Sequence, residues 1–119
     1  MSHNQEVGAY GEDLAEQFLR RKGYKFIDRN VKTSYKEIDL IFLDGSAIVF
    51  VEVKTRTSTI YGSAEEAMTD KKINNLKRAA MLYLNGKNKY YKELRFDFLA
   101  VDIEPRTKEA NIKHYIDMI

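Results

Sequence analysis

Glu37, Asp39, Glu52 and Lys54 are charged residues inside two stretches that otherwise have the composition of buried β-strands, Glu37-Ile38-Asp39-Leu40-Ile41 and Phe50-Val51-Glu52-Val53-Lys54. Charges in such surroundings are costly unless they are paired or bind a cation. Carboxylates gathered at one place are hard oxygen donors that suit Mg²⁺ or Mn²⁺. A divalent ion beside a lysine ammonium suits chemistry on phosphodiesters.

These residues need a scaffold. Residues 4–22 have the spacing of an amphipathic helix, with Val7, Gly11, Leu14 and Phe18 on one stripe and Ala15 and Leu19 beside it; Gly23 is its stop. Residues 24–31 alternate as a strand. Residues 35–43 and 47–54 are the clearest strands, joined by the hairpin signal Asp44-Gly45-Ser46. Residues 55–63 are polar and are assigned to a loop. A second helix is expected over 69–84, with Thr69 as N-cap, Ile73, Leu76, Ala80, Tyr83 and Leu84 on its core side, and Asn85-Gly86 at its end. Strands over 94–103 and 111–116 complete the order α-β-β-β-α-β-β, read as one α/β domain spanning residues 1–119.

Strand alternation sharpens the hairpin. Ile38, Leu40 and Phe42 share one face with Val49, Val51 and Val53, an apolar surface for a helix to cover. The opposite face is apolar near the turn, with Ile41, Leu43, Ile48 and Phe50, and charged away from it, with Glu37, Asp39, Glu52 and Lys54. A Gly45-Ser46 turn puts Asp39 opposite Glu52; an Asp44-Gly45 turn puts Glu37 there instead. Either register opposes carboxylates, which repel unless a cation joins them. The plainer alternative is a set of salt bridges, Lys54 with Glu52 on its own strand or with Glu37 across the hairpin, and no metal. Glu12 lies on a helical stripe with Gly8, Ala15 and Leu19; the glycines beside it either admit a close approach by another element or by nucleic-acid backbone, or are incidental neighbours of a boundary glutamate.

The chain has 119 residues, 44% hydrophobic, a net charge of +2 and no cysteine. Disulfides and thiolate zinc sites are excluded. No apolar run reaches the ~18 residues that span a bilayer, and no secretory h-region is present, so no membrane partner is expected and the cytoplasm is the default location. Acids concentrate before residue 70, whereas Lys71, Lys72, Lys77, Arg78, Lys87, Lys89 and Lys92 follow in one stretch. Lys71 and Lys72 open the second helix, a position from which they are expected to contact phosphate. Nothing in their spacing makes His3 or His114 a ligand; both are read as surface histidines. Asp97, between Phe96 and Phe98, is read as an ion-pair partner of Arg95.

Gly8, Gly11-Glu12, Glu37-Ile38-Asp39-Leu40-Ile41, Phe50-Val51-Glu52-Val53-Lys54-Thr55-Arg56 and Arg95-Phe96-Asp97 together resemble the YraN family of small bacterial proteins. That resemblance covers nearly the whole chain. It implies a restriction-endonuclease-like, or PD-(D/E)xK, fold: a three-layer α/β/α domain around a central mixed sheet. The layout is also similar to archaeal Holliday-junction resolvases, which use a helix glutamate, a strand aspartate and an ExK on the next strand. By this resemblance Asp39, Glu52 and Glu12 are metal ligands for Mg²⁺ or Mn²⁺ and Lys54 is the catalytic lysine. Thr55 and Arg56 become phosphate contacts, and Glu37 is a secondary candidate. The implied activity is metal-dependent hydrolysis of DNA, branched DNA included, and by analogy a homodimer. The alternatives are a non-catalytic nucleic-acid-binding or adaptor module of the same fold, and a protein-interaction domain whose acids are structural. Two positions depart from the pattern: Lys36 stands where the family usually has glycine, and Ile38 where the superfamily has proline before the aspartate.

Overall fold

The structure, a computed structural model, describes residues 3–57, 68–87 and 89–118; for His3 and Asn4 it describes the backbone alone. The elements follow the expected order: α1 (His3–Arg21), β1 (Lys25–Lys32), β2 (Glu37–Asp44), β3 (Ala47–Arg56), α2 (Asp70–Asn85), β4 (Glu93–Ile103) and β5 (Ala110–Tyr115). Gly23 stops α1 with a left-handed φ of 93°. The Gly23 N–H donates to the Arg20 carbonyl and the Tyr24 N–H to the Leu19 carbonyl, the paired bonds of a Schellman end. Thr69 caps α2, its hydroxyl accepting from the Lys72 N–H at 3.2 Å. The expected loop over 55–63 is corrected at its start, since Thr55 and Arg56 extend β3; the rest of it lies outside the described residues.

The strands form one sheet in the order β1-β2-β3-β4-β5. The β3–β4 pair is parallel, because α2 intervenes between these strands, and the other pairs are antiparallel. On one face α1 lays Ala15 and Leu19 over Leu40, Phe42, Val49, Val51, Leu99 and Val101. On the other, α2 lays Leu76, Ala79, Ala80 and Tyr83 over Ile41, Ile48, Phe50 and Phe96. Both faces of β3 are therefore covered, which its near-continuous apolar sequence requires. This is the three-layer α/β/α arrangement with a mixed central sheet.

The hairpin takes the Gly45-Ser46 register. Asp44 pairs with Ala47, Gly45 has a φ of 60°, and the ladder runs to Leu40 opposite Val51. The alternative register, with Glu37 opposite Glu52, is not formed. One step beyond Leu40 and Val51 the ladder stops, so β2 and β3 part where Asp39 and Glu52 would meet. Ile38 corrects the expected apolar face: it joins the α2 side with Ile41 and Val31 instead of following Leu40. The cause lies in the neighbouring strand. Asn30 has a φ of 52°, which breaks the alternation of β1 and carries Val31, and Ile38 opposite it, to the other face.

Gly11 is where α1 touches β3. A Cβ on Gly11 would lie within bonding range of the Thr55 hydroxyl and 2.7 Å from its Cβ. The element that approaches the helix glycine is thus Thr55, not a nucleic-acid backbone. Gly11→Ala is expected to destabilise the fold by about 1–3 kcal/mol through overpacking. Urea denaturation would measure this, and Thr55→Gly should recover part of the loss in the double variant. Gly8 has open space around it and tolerates alanine by the same criterion.

Candidate active site

Asp39 is the centre of the acidic cluster. At the opening between β2 and β3 its Oδ2 accepts the Val53 N–H at 2.8 Å, so the side chain replaces the backbone carbonyl that β2 no longer supplies. Burial, followed by the Glu52 carboxylate, pushes the Asp39 carboxyl up to about 7; the Val53 N–H pulls the other way, and the Glu12 carboxylate adds to the rise. Asp39 therefore lies electrostatically between Glu52 on β3 and Glu12 on α1. Among the described residues no cationic side chain hydrogen-bonds it.

Glu12 comes to the cluster from the α1 face. Burial raises its carboxyl above the ordinary value against the Arg29 guanidinium, whose Nε is 3.8 Å from Oε1. The Asn30 amide, oriented to satisfy its neighbours, donates from its nitrogen to Glu12 Oε1 at 2.7 Å and to Glu37 Oε1 at 3.2 Å. The same left-handed asparagine that breaks β1 thus ties Glu37 to Glu12. Glu37 is exposed, and its place in the cluster is this bridge. Arg29 also holds Asp13 at 2.6 Å and Glu16 at 3.3 Å, which fixes α1 against β1.

Glu52 carries a partner that the spacing did not indicate. The Lys36 ammonium is 2.9 Å from Glu52 Oε2, so the cation paired with Glu52 is Lys36 and not the Lys54 of the plainer alternative. Lys54 is exposed, falls two residues after Glu52 on β3, and makes no ion pair among the described residues. The Thr55 side chain is taken up by the α1 contact. Arg56 bonds Asp102, its register partner on β4, through Nε at 2.9 Å and Nη2 at 3.4 Å. Lys71 and Lys72 are exposed in the first turn of α2. Arg78 is bound elsewhere, its Nη1 donating to the Tyr35 hydroxyl at 2.7 Å.

A second charged network lies across the sheet. Asp97 is fully buried and accepts from Arg95 at 3.0 Å, from the His114 ring at 2.7 Å and from the Asp117 N–H at 3.0 Å. Burial alone would raise its carboxyl; these donors and the Arg95 charge outweigh it and hold Asp97 below the ordinary range. Arg95 reaches on to Asp44 at 2.7 Å and to the Tyr24 hydroxyl at 2.8 Å. The reading of Asp97 as an Arg95 partner holds. The reading of His114 as a surface residue does not: its side chain is 4% exposed, edged by Phe18 and Tyr24. Lys22 donates to Nδ1 at 2.8 Å, so Nε2 carries the hydrogen given to Asp97. This network joins α1, β4 and β5 and is structural.

The donor chemistry of the acidic cluster suits a hard divalent cation, since Glu52 and Glu12 add carboxylate oxygens to the half-buried, electrostatically unfavourable Asp39 carboxyl. Among the described residues no three acidic or histidine side chains are placed to hold a metal ion together. The Asp39 carboxyl makes a prediction of its own. Its pKa is 3.8 ordinarily and about 7 in the fold, so the folded state retains a proton that the unfolded state loses. Stability therefore falls as pH rises from about 4 to 7. Asp39→Asn keeps an acceptor for Val53 and removes the charge; at pH 8 it is expected to gain roughly 1–3 kcal/mol in urea denaturation without added metal, and to lose this pH slope.

Among the described residues no helix is long and apolar enough to cross a membrane. A family model described as "Uncharacterised protein family UPF0102" matches residues 11–101, a span that includes Glu12, Asp39, Glu52 and Lys54. A UPF0102 protein of Syntrophomonas wolfei is 49% identical over 108 residues, covering 91% of this chain and 94% of the relative. One of Rhodococcus jostii is 42% identical, covering 87% of each chain, and one of Dictyoglomus turgidum is 37% identical, covering 92% of each. With a family model over most of its length and relatives matched nearly end to end, the chain belongs to the UPF0102, or YraN, family.

Proposed function

We propose that this protein is a divalent-metal-dependent nuclease that hydrolyses DNA phosphodiesters, branched DNA included. The observation that carries the reading is Asp39. A half-buried carboxyl is kept at a strand opening, at a cost to stability, near two further carboxylates, and among the described residues no cation is bonded to it. Titratable groups held far from their ordinary behaviour cluster at functional sites, and Asp39, unlike Asp97, has no set of donors that would account for it structurally among the described residues.

Asp39, Glu52 and Glu12 are the residues that would hold Mg²⁺ or Mn²⁺, and the ion would supply Lewis acidity at the scissile phosphate. The chain's own residues do the rest. The Val53 N–H fixes the Asp39 carboxylate, and the Asn30 amide fixes Glu12. Lys54 follows Glu52 by one strand period and is free among the described residues to donate to a non-bridging phosphate oxygen, where its charge would oppose the charge that develops there. Lys71 and Lys72 are available as outer phosphate contacts, whereas Thr55 and Arg56 are engaged within the fold. A two-fold homodimer would present two such sites to a junction with two equivalent strands.

Incubating end-labelled linear duplex and four-way junction DNA with the protein, Mg²⁺ or EDTA tests the reading; cleavage that persists in EDTA or in Glu52→Gln contradicts it. A second reading is favoured by the Lys36–Glu52 pair, which neutralises one of the three acids from within the chain. A non-catalytic DNA-binding module would bind with strong salt dependence and never cut.

A further inference from the structure

Among the described residues, Lys36 is the cation paired with Glu52 in the acidic cluster, as Arg29 is with Glu12. Its ammonium lies 2.9 Å from Glu52 Oε2, and both side chains are about one-fifth exposed, so the pair is neither a loose surface contact nor sealed in the core. The lysine is also held at its backbone. The Thr33 hydroxyl donates to the Lys36 carbonyl at 2.6 Å and accepts the Lys36 N–H at 3.0 Å, so one side chain clamps both polar groups of the residue. Thr33 also accepts the Tyr35 N–H at 3.2 Å, and Arg78 of α2 bonds and covers Tyr35. The turn between β1 and β2 is thereby anchored to the second helix, with Lys36 at its exit facing Glu52. A lysine on a loose loop has many rotamers and positions to visit; one clamped like this presents its charge at a fixed place.

A carboxylate bonded by an ammonium is not available in full to a second cation. A divalent ion approaching Glu52 also meets the repulsion of the ammonium at short range, where screening by salt is weak. We propose that Lys36 is a resident counter-ion that a divalent metal must displace from Glu52, so that this lysine sets how tightly the site takes its metal. The proposal rests on the metal-site reading given above and specifies its control. Binding then exchanges one cation for another: the ammonium leaves Glu52, and the metal takes its carboxylate. The displaced ammonium stays beside the site because Thr33 holds the backbone. It is left, with Lys54, on the side from which an anionic substrate approaches.

The test is a Mn²⁺ titration of the full chain, read by the loss of the free-ion electron paramagnetic resonance signal. Wild type, Lys36→Gln, Glu52→Gln and the double variant are compared. Lys36→Gln is expected to tighten Mn²⁺ by about tenfold, and in the Glu52→Gln background the same substitution should change affinity less than about twofold, because the coupling runs through the pair. The side-chain ¹⁵N signal of Lys36 should also move as Mg²⁺ is added. Equal or weaker Mn²⁺ binding by Lys36→Gln overturns the displacement while leaving the metal reading standing. An unmoved Lys36 signal in a Mg²⁺-saturated protein does the same. If neither wild type nor Lys36→Gln binds Mn²⁺, the metal reading falls, and this one with it.

Discussion

Asp97→Asn is expected to lower the stability of the protein by about 3–5 kcal/mol, the cost of leaving buried charge without its partner. Asp97 is fully buried and accepts from Arg95, His114 and the Asp117 N–H, and it has no solvent to fall back on. An asparagine would turn its amide nitrogen toward one of these donors and leave that donor unsatisfied. The loss should appear as a fall of about 10–20 °C in the thermal midpoint for a domain of this size. The pH dependence has a definite sign. The Asp97 carboxyl is held below its ordinary value of 3.8, so its contribution is present above about pH 4 and is lost as pH falls through the folded value. Acid titration of wild type should show that loss, and Asp97→Asn should lack it. Because the network joins α1, β4 and β5 and touches none of the three acids, Asp97→Asn should leave residual activity in proportion to the folded fraction.

Glu52→Gln should have the opposite profile. Under the proposed function it lowers Mg²⁺-dependent cleavage by about 10²–10³-fold, the scale on which removal of one charge-stabilising group acts. It should cost little stability, because the Lys36–Glu52 pair is partly exposed and such pairs contribute about 0–1 kcal/mol. Lys54→Ala is expected to reduce cleavage on a similar scale with no effect on the thermal midpoint, since Lys54 is exposed and makes no ion pair among the described residues. Gel assays of labelled duplex and junction DNA, paired with melting curves, separate the two profiles. Variants of Glu52 and Lys54 that cut as wild type does would remove both residues from the chemistry.

The hairpin was legible in the sequence because period-two alternation and a Gly45-Ser46 turn leave few registers, and the formed one ends where Asp39 would face Glu52. The helices were legible for related reasons: Gly23 and Thr69 are local signals whose bonds are made within a few residues. What escaped was set by distant partners. His114 reads as an ordinary polar residue on an edge strand, and its burial comes from partners distant in sequence, Asp97, Phe18 and Tyr24. Asn30 lies within a run that reads as a regular strand, yet its left-handed φ moves Val31 and Ile38 to the other face and turns its amide onto Glu12 and Glu37. Lys36 registered as the loss of a glycine; its role as the Glu52 partner depends on how Thr33 shapes the turn, which no periodicity encodes. Gly11 announced a close approach without naming Thr55 as its source.

The central claim is that Asp39, Glu52 and Glu12 together hold a divalent cation. Titration of ¹⁵N-labelled protein with Mg²⁺, followed by amide shifts, tests it most directly. The account predicts that the amides of Asp39, Glu52, Val53 and Glu12 move together along one saturating curve, and that Asp39→Asn abolishes the movement. Mg²⁺ that leaves these four amides in place, or that moves them equally in Asp39→Asn, would contradict it.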